Sequence, residues 1–396
     1  MSSSSPNRKP DEVFTIFDRR YRIQRYPRRH REELKGWDTA DHYLLETAFT
    51  EIARLDHSSS EPLSICVLHD VFGAITIPLI DQLPHHVISY GDSWMSRRAI
   101  EINLQENSIS RGYSFETSFD RLVDLHPPPS LVIGRVPKSS AQLAYLLQRL
   151  HKWLKPNTLL LLAGMDKHLS RGQYQLLEER FGPSSFMPGV KRARVWRAVN
   201  DPSLQPPEEG SPLSLIDIPD HQLQLAALPN VFSRDQLDLG SRFFLSQLDR
   251  LPRCVDVADL ACGSGVLGLA YLTAHPDARL YFCDESFQAV DSTRYNLTMN
   301  HLAANAEVCA DDGLKQRDAS SLDLVLCNPP FHHNHTVSTD LARSLFRDAH
   351  RALRAGGQLW VVANRHLAYS GDLSRLFKRC ATIASNKKFI ILCATR

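Results

Sequence analysis

Apolar and polar positions along the chain fall into a pattern that occurs twice. Leu322, Leu324, Val325, Leu326 and Cys327 form an almost unbroken apolar run, as a parallel strand buried on both faces requires. Val255 to Leu260 reads as another strand. It passes through Ala261 and Cys262 into the turn Gly263-Ser264-Gly265, and a helix is predicted from about Val266 to Ala274. Nineteen residues after Gly265, the strand Arg279-Leu280-Tyr281-Phe282-Cys283 ends in Asp284. Strands alternating with helical stretches predict an α/β fold with a parallel sheet.

The first half carries the same spacing. Ser64 to His69 is a strand leading to Gly73, and nineteen residues later another strand ends in Asp92. Asn103-Leu104 matches Asn296-Leu297 at an offset of 193, and Leu131 to Pro137 matches Leu324 to Pro330 at the same offset. The chain therefore reads as two tandem doubly wound Rossmann-like domains. The copies differ at the turns. Val71-Phe72-Gly73 stands where the second half has Gly263-Ser264-Gly265, and Arg135-Val136-Pro137-Lys138 where it has Asn328-Pro329-Pro330-Phe331. Phe72 would block a ligand that small residues admit. Arg135 can only donate hydrogen bonds, whereas Asn328 can also accept. The N-terminal copy is therefore expected to be degenerate, without catalysis or cofactor. Its boundaries are set at 11–200, after a disordered polar tail at 1–10. A Pro-, Gly- and acid-rich linker at 201–215 leads to a catalytic domain at 216–396.

Composition changes this picture little. Of 396 residues, 43% are hydrophobic and 23% charged, enough apolar content for two cores, and the net charge of +2 gives no global basic field. Arginines cluster locally: Arg19, Arg20, Arg22, Arg25, Arg28, Arg29 and Arg31 lie among Tyr21 and Tyr26, a composition suited to phosphate contacts and stacking. A solvated arginine edge balanced by Asp18, Glu32 and Glu33 is the plainer reading of that stretch. Eight cysteines without a C-x-x-C pair fit reduced thiols in a cytoplasmic protein. No apolar run reaches membrane-spanning length.

The chemistry sits at the strand ends, where open α/β sheets bind ligands. Asn328-Pro329-Pro330-Phe331 closes an apolar strand with two prolines that fix the backbone. The Asn328 amide oxygen and the Pro329 carbonyl can accept both protons of a planar exocyclic amine and free its lone pair for an electrophile, while Phe331 stacks on the base. Glycines at 263 and 265 allow close backbone approach beside Ala261, and Asp284 is placed for ribose hydroxyls. Gly263, Gly265 and Gly268 also satisfy G-x-G-x-x-G, so a nicotinamide-dependent oxidoreductase has to be weighed. Asp259, suited to an amino-acid ammonium, and the Asn-Pro-Pro-Phe segment, idle in hydride transfer, speak against it.

The order and spacing of Asp259 to Gly265, Asp284, Asp312 and Asn328 to Phe331 resemble class I S-adenosylmethionine methyltransferases that modify exocyclic amines. Pro229-Asn230-Val231-Phe232-Ser233, Gly240-Ser241-Arg242-Phe243-Phe244 and Val362 to Tyr369 look like the bacterial ribosomal RNA guanine-N2 methyltransferases. Trp37 to Asp41 and Ala381 to Phe389 are more similar to the large-subunit branch than to the small-subunit one. The resemblance implies S-adenosylmethionine as cofactor and methylation of guanine N2 in 23S ribosomal RNA. Small-subunit guanine-N2 and adenine-N6 methylation are the alternatives. It gives Asp259 the methionine ammonium and Asp312 the adenine amino group, with Asp311 a competitor one residue away. It places Phe232, Arg242 and Arg365 around cofactor and substrate. Substrate RNA contacts are expected at Arg19, Arg20, Arg28, Arg29, His332 and Arg365. His332, His333 and His335 crowd together, but the reaction needs no metal and no ligand set is completed nearby. The expected agent is a cytoplasmic monomer acting on large-subunit RNA before assembly is complete.

Overall fold

The computed structural model describes residues 13–28, 34–57, 62–207, 210–330 and 335–396, the last without the side chains of 335–339. The tail expected at 1–10, and Arg29, Phe331 and His332, lie outside the described residues. The chain divides into two compact units, Met1–Gly210 and Ser211–Arg396. The strand Ser214–Ile218 thus begins inside the stretch read as linker.

The second unit is built on a seven-stranded sheet. Across it the strands run Ala306–Ala310, Arg279–Asp284, Asp256–Leu260, Leu322–Cys327, Leu353–Asn364, Phe389–Thr395 and Arg379–Ser385. The first five and the last run parallel, and Phe389–Thr395 runs antiparallel to both its neighbours. The first unit repeats the order: Ser114–Glu116, His86–Tyr90, Ser64–Leu68, Leu131–Arg135, Leu159–Met165, Ala193–Val199 and Ser184–Phe186. Both are Rossmann-type methyltransferase sheets. Apolar side chains fill the space on both faces of each, which is why the central strands lack polar alternation. The helix Val266–Ala274 is buried from Val266 to Leu272, so it too is apolar all round. Among the described residues no helix is long and apolar enough to cross a membrane.

A β-hairpin precedes each sheet, Val13–Ile16 with Arg19–Arg22 and Ser214–Ile218 with Leu223–Ala227. Each is pinned by two asparagines one helical turn apart. Asn296 accepts from Ala226 N at 2.6 Å and donates to Ala226 O and Ser264 O, both at 2.9 Å. Asn300 accepts from Gln224 N at 3.0 Å and donates to Gln224 O at 2.7 Å. In the first unit Asn103 makes the same reciprocal pair with Gln24 and also donates to Phe72 O, while Asn107 pairs with Arg22. A buried carboxamide meets both its donor and acceptor demands by bonding the N–H and C=O of one residue in this way. Asn296 ties the hairpin to the glycine turn as well.

Candidate active site

Strand register lines the site up. Leu260 pairs with Cys283 on one side and Cys327 on the other, and Asp284 pairs with Ala310. The next residues therefore form a row at the carboxyl edge, Ala310, Asp284, Ala261 and Asn328, with Asp311 one residue beyond and its N–H on Asp284 O. With strands about 4.8 Å apart, Asp284 and Asn328 stand about 10 Å from each other across the glycine turn. An extended ligand with a sugar at one end and a reactive centre at the other fits that span.

The turn itself is left-handed. Ala261, Gly263 and Gly265 have φ of 59°, 58° and 81°. At Gly265 a Cβ would meet Leu269 Cδ1 at 2.7 Å and Thr293 Cγ2 at 2.9 Å, so only glycine fits. At Gly263 a Cβ would meet nothing within 4 Å: the backbone faces open space. Gly263 N donates to Asp284 Oδ2 and Ser286 N to Asp284 Oδ1, both at 2.9 Å. The Glu285 amide bonds the same carboxylate. Burial raises the Asp284 carboxyl above its usual range, partly offset by these amides. Thr293 Oγ1 donates to Gly263 O at 3.0 Å and holds the turn from below.

Asp259 is buried and accepts from Gly268 N at 2.8 Å. Burial, opposed by that bond and reinforced by the Asp284 charge, raises it from 3.8 to about 8. Between those values the folded chain holds a proton that the unfolded chain has lost, so stability falls as pH rises. The ligand-free protein is therefore expected to lose Tm from pH 4 towards pH 8, and Asp259→Asn, which keeps the acceptor for Gly268, to lose less. A Tm difference between the two that stays constant over this interval would contradict the assignment.

The structure separates Asp311 from Asp312. Asp311 uses both oxygens on its own loop, accepting from Asp312 N at 2.8 Å and Gln316 N at 2.9 Å. Asp312 instead pairs with Lys315. Asn328 Nδ2 donates to Ser241 Oγ at 3.0 Å and to the Asp238 carboxylate at 3.3 and 3.4 Å, whereas Asn328 Oδ1 is buried with no partner among the described residues. Neither Asp238 nor the hydroxyl of Ser241 stood out in the sequence as part of this site. The only signal was an Asp-x-Gly-Ser helix start.

Other expected residues are scattered. Arg365 ties a loop through Asn386 O at 3.2 Å and Lys388 O at 3.0 Å. Arg242 and Phe232 are exposed, Phe232 at 66%. Arg28 is held by Glu106 at 3.0 Å, while Arg19, Arg20 and Arg22 are exposed on the hairpin strand around buried Tyr21. Among the described residues no group of three or more His, Cys, Asp or Glu side chains is arranged to hold a metal.

The open turn and the orphaned amide oxygen fit S-adenosylmethionine beside an amine. The first unit offers neither. Its turn amides at Gly73, Ile75 and Thr76 are taken by Asp70 at 2.7 to 3.0 Å, Arg25 lies 5.0 Å over the Phe72 ring, and Arg135 is locked to Asp38 and Asp41 at 2.6 to 2.8 Å.

Comparison with known proteins agrees with that division. Residues 222–393 match the family "Methyltransferase small domain" and residues 11–202 the family "RLMG N-terminal domain". A protein of Ectopseudomonas mendocina named ribosomal RNA large subunit methyltransferase G is 38% identical, over 97% of this chain and 100% of its own. A namesake in Streptomyces coelicolor is 38% identical over 94% of this chain and 97% of its own. Among solved structures the fold is similar to a T. Thermophilus 16S rRNA N2 G1207 methyltransferase in complex with AdoMet and guanosine. The TM-score is 0.76 with 19% identity, covering 97% of each chain.

Proposed function

The chain belongs to the ribosomal RNA large subunit methyltransferase G family, and from that premise we propose that it methylates the exocyclic N2 of one guanine in 23S ribosomal RNA. The observation that carries the base chemistry is the buried, unpaired Oδ1 of Asn328 at the edge of an S-adenosylmethionine-binding sheet.

When bound, S-adenosylmethionine supplies a methyl group on a positively charged sulfur. Asp284 binds the ribose hydroxyls, Asp259 faces the ammonium through the turn, and Asp312 accepts from the adenine amine. Asn328 Oδ1 and the Pro329 carbonyl accept the two N–H protons of the guanine amine, which turns its lone pair along the axis of transfer. In such a transfer the N–C bond would form as the S–C bond breaks, and the positive charge would pass to nitrogen. One proton then leaves to water, since alkylation has made it acidic. No strong base is needed, and positioning provides the acceleration. The target base must leave its stack to reach a strand-end site, at a cost of a few kcal/mol.

Methyl transfer from labelled cofactor to protein-free 23S and 16S RNA and to both assembled subunits, followed by nucleoside analysis, tests this. N2-methylguanosine at one large-subunit position is expected, with the protein-free or incompletely assembled RNA preferred. Label in 16S RNA would move the target to the small subunit, and N6-methyladenosine would overturn the base. Asn328→Ala should abolish transfer while cofactor binding persists; retained activity removes Asn328 from the amine site.

The first unit is assigned to RNA binding through Arg19 and Arg20, which stand exposed on the hairpin. Replacing both by Ala should weaken RNA binding and lower the slope of log K against log salt by about 1.5, at about 0.7 to 0.9 per phosphate contact. Titrations at two salt concentrations measure it, and an unchanged slope assigns the stretch to structure.

A further inference from the structure

The strand-end carboxamide is held by a helix that lies far from it in sequence. Asp238 is the N-cap of the helix Leu239–Leu245, and its Oδ1 accepts from Gly240 N at 2.8 Å and Ser241 N at 3.1 Å. The same carboxylate, with Ser241 Oγ at 3.0 Å, takes the Nδ2 hydrogens of Asn328. A carboxylate can only accept, so the amino side of the amide has to face Asp238 and the carbonyl oxygen has to face away. That oxygen is the buried atom without a partner among the described residues. Leaving a buried acceptor unpartnered is unfavourable, and the contact with Asp238 opposes the flip of the amide that would relieve it. At Gly240 a Cβ would come within 3.0 Å of Asp238 Oδ1 and 3.7 Å of Asn328 Nδ2, so the cap and the amide are packed closely.

The first unit carries the same station. Asp38 caps the helix Thr39–Asp56, accepts from Ala40 N and Asp41 N, and meets Arg135 at the end of the strand Leu131–Arg135. An acidic cap opposite the fourth strand end is thus common to both units, which differ at the strand end and three residues after the cap, where Asp41 stands in one and Ser241 in the other. Where the strand end is Arg, its charge is met by two carboxylates. Where it is Asn, the cap charge acts on a neutral amide whose far oxygen stays open.

We propose that Asp238 and Ser241 are positioning residues for methyl transfer, holding the Asn328 carboxamide with Oδ1 towards the target amine. Asp238 also polarises that amide, so its oxygen accepts more strongly as positive charge develops on the methylated nitrogen. The inference rests on the amine site proposed above.

The test is steady-state transfer to the RNA substrate by Ser241→Ala, Ser241→Thr, Asp238→Asn and Asn328→Ala, with cofactor affinity by calorimetry and Tm measured for each. Ser241→Ala should lower kcat about 5- to 20-fold, with RNA KM and cofactor Kd within about twofold of wild type. Ser241→Thr, which keeps the hydroxyl, should return to within about threefold. Asp238→Asn should cost about 30-fold or more in kcat, because a carboxamide at 238 can offer N–H as well as oxygen and no longer dictates the orientation of Asn328. Wild-type kcat in Ser241→Ala and Asp238→Asn, with transfer lost in Asn328→Ala, would overturn the positioning role and leave the amine site standing. Transfer retained in Asn328→Ala would instead remove the amine site itself. A kcat loss matched by an equal loss of cofactor affinity or by a collapse of Tm in both Ser241→Ala and Asp238→Asn would reduce the pair to a structural cap and sink the proposal.

Discussion

Asn328→Arg is expected to give a protein that folds as stably as its parent and transfers no methyl group. The first unit is the precedent. Its Arg135 places Nη1 and Nη2 at 2.7 and 2.8 Å from the two oxygens of Asp38, the counterpart of Asp238. A guanidinium at 328 meets one acid, Asp238, where Arg135 has Asp38 and Asp41, and gains about 0–1 kcal/mol from a partly exposed pair. It has five donors and no acceptor, so it cannot take a proton from an amine. It also puts a positive charge beside the nitrogen on which positive charge develops. Loss of one preorganised transition-state contact costs about 100- to 1,000-fold, and the added repulsion takes the loss beyond about 1,000-fold. Thermal unfolding and single-turnover transfer check the two halves of this expectation. Activity above about one hundredth of wild type would defeat the amine-site assignment. A sharp fall in Tm would show that the two stations are not equivalent.

Asp284→Ala is expected to weaken S-adenosylmethionine binding by about 100-fold or more. The carboxylate serves backbone amides already, among them Gly263 N and Ser286 N, and is proposed to serve two ribose hydroxyls as well. Losing two charge-assisted hydrogen bonds to the ligand, at about 1.5 kcal/mol each, corresponds to about 150-fold. The orphaned Gly263 amide adds to this by loosening the turn on which the ligand lies. Asp284→Asn keeps an acceptor and should fall between the two. Calorimetric affinities decide it: a Kd within about threefold of wild type in Asp284→Ala would take this residue out of the cofactor site.

Much of this arrangement was legible in the chain because it depends on local signals. The apolar run at Leu322–Cys327, the glycine turn before Val266 and the acid after Cys283 are each fixed by neighbours in sequence, and each stands where the spacing placed it. The duplication was legible because the offset between Asn103 and Asn296 survives insertion and loss elsewhere, and both asparagines do the same job. What escaped depends on contacts between distant residues. Asp238 meets Asn328 across ninety positions, and nothing in a cap-like acid next to Leu239 distinguishes it from any other helix start. The choice between Asp311 and Asp312 was open for the opposite reason. The two are adjacent, and only the structure shows how they differ: Asp311 is engaged by the loop amides at Asp312 and Gln316, Asp312 by Lys315. The arginine cluster was visible as composition, but composition does not tell an exposed Arg19 from an Arg28 held by Glu106.

The paired asparagine clamps bear on the ancestry of the chain. Each half keeps its own hairpin, fastened to its own helix by reciprocal bonds to the backbone of one residue, Gln24 in one case and Ala226 in the other. Such a device is unlike anything the sheet order alone would enforce, so a shared origin explains it better than independent invention. The ancestral gene that was copied therefore began upstream of the hairpin rather than at the first parallel strand. The interval from Gln24 to Asn103 is nine residues longer than that from Ala226 to Asn296, which dates that difference in length to after the copying. The two halves differ at the turn and the strand end, while both keep the asparagine fastening.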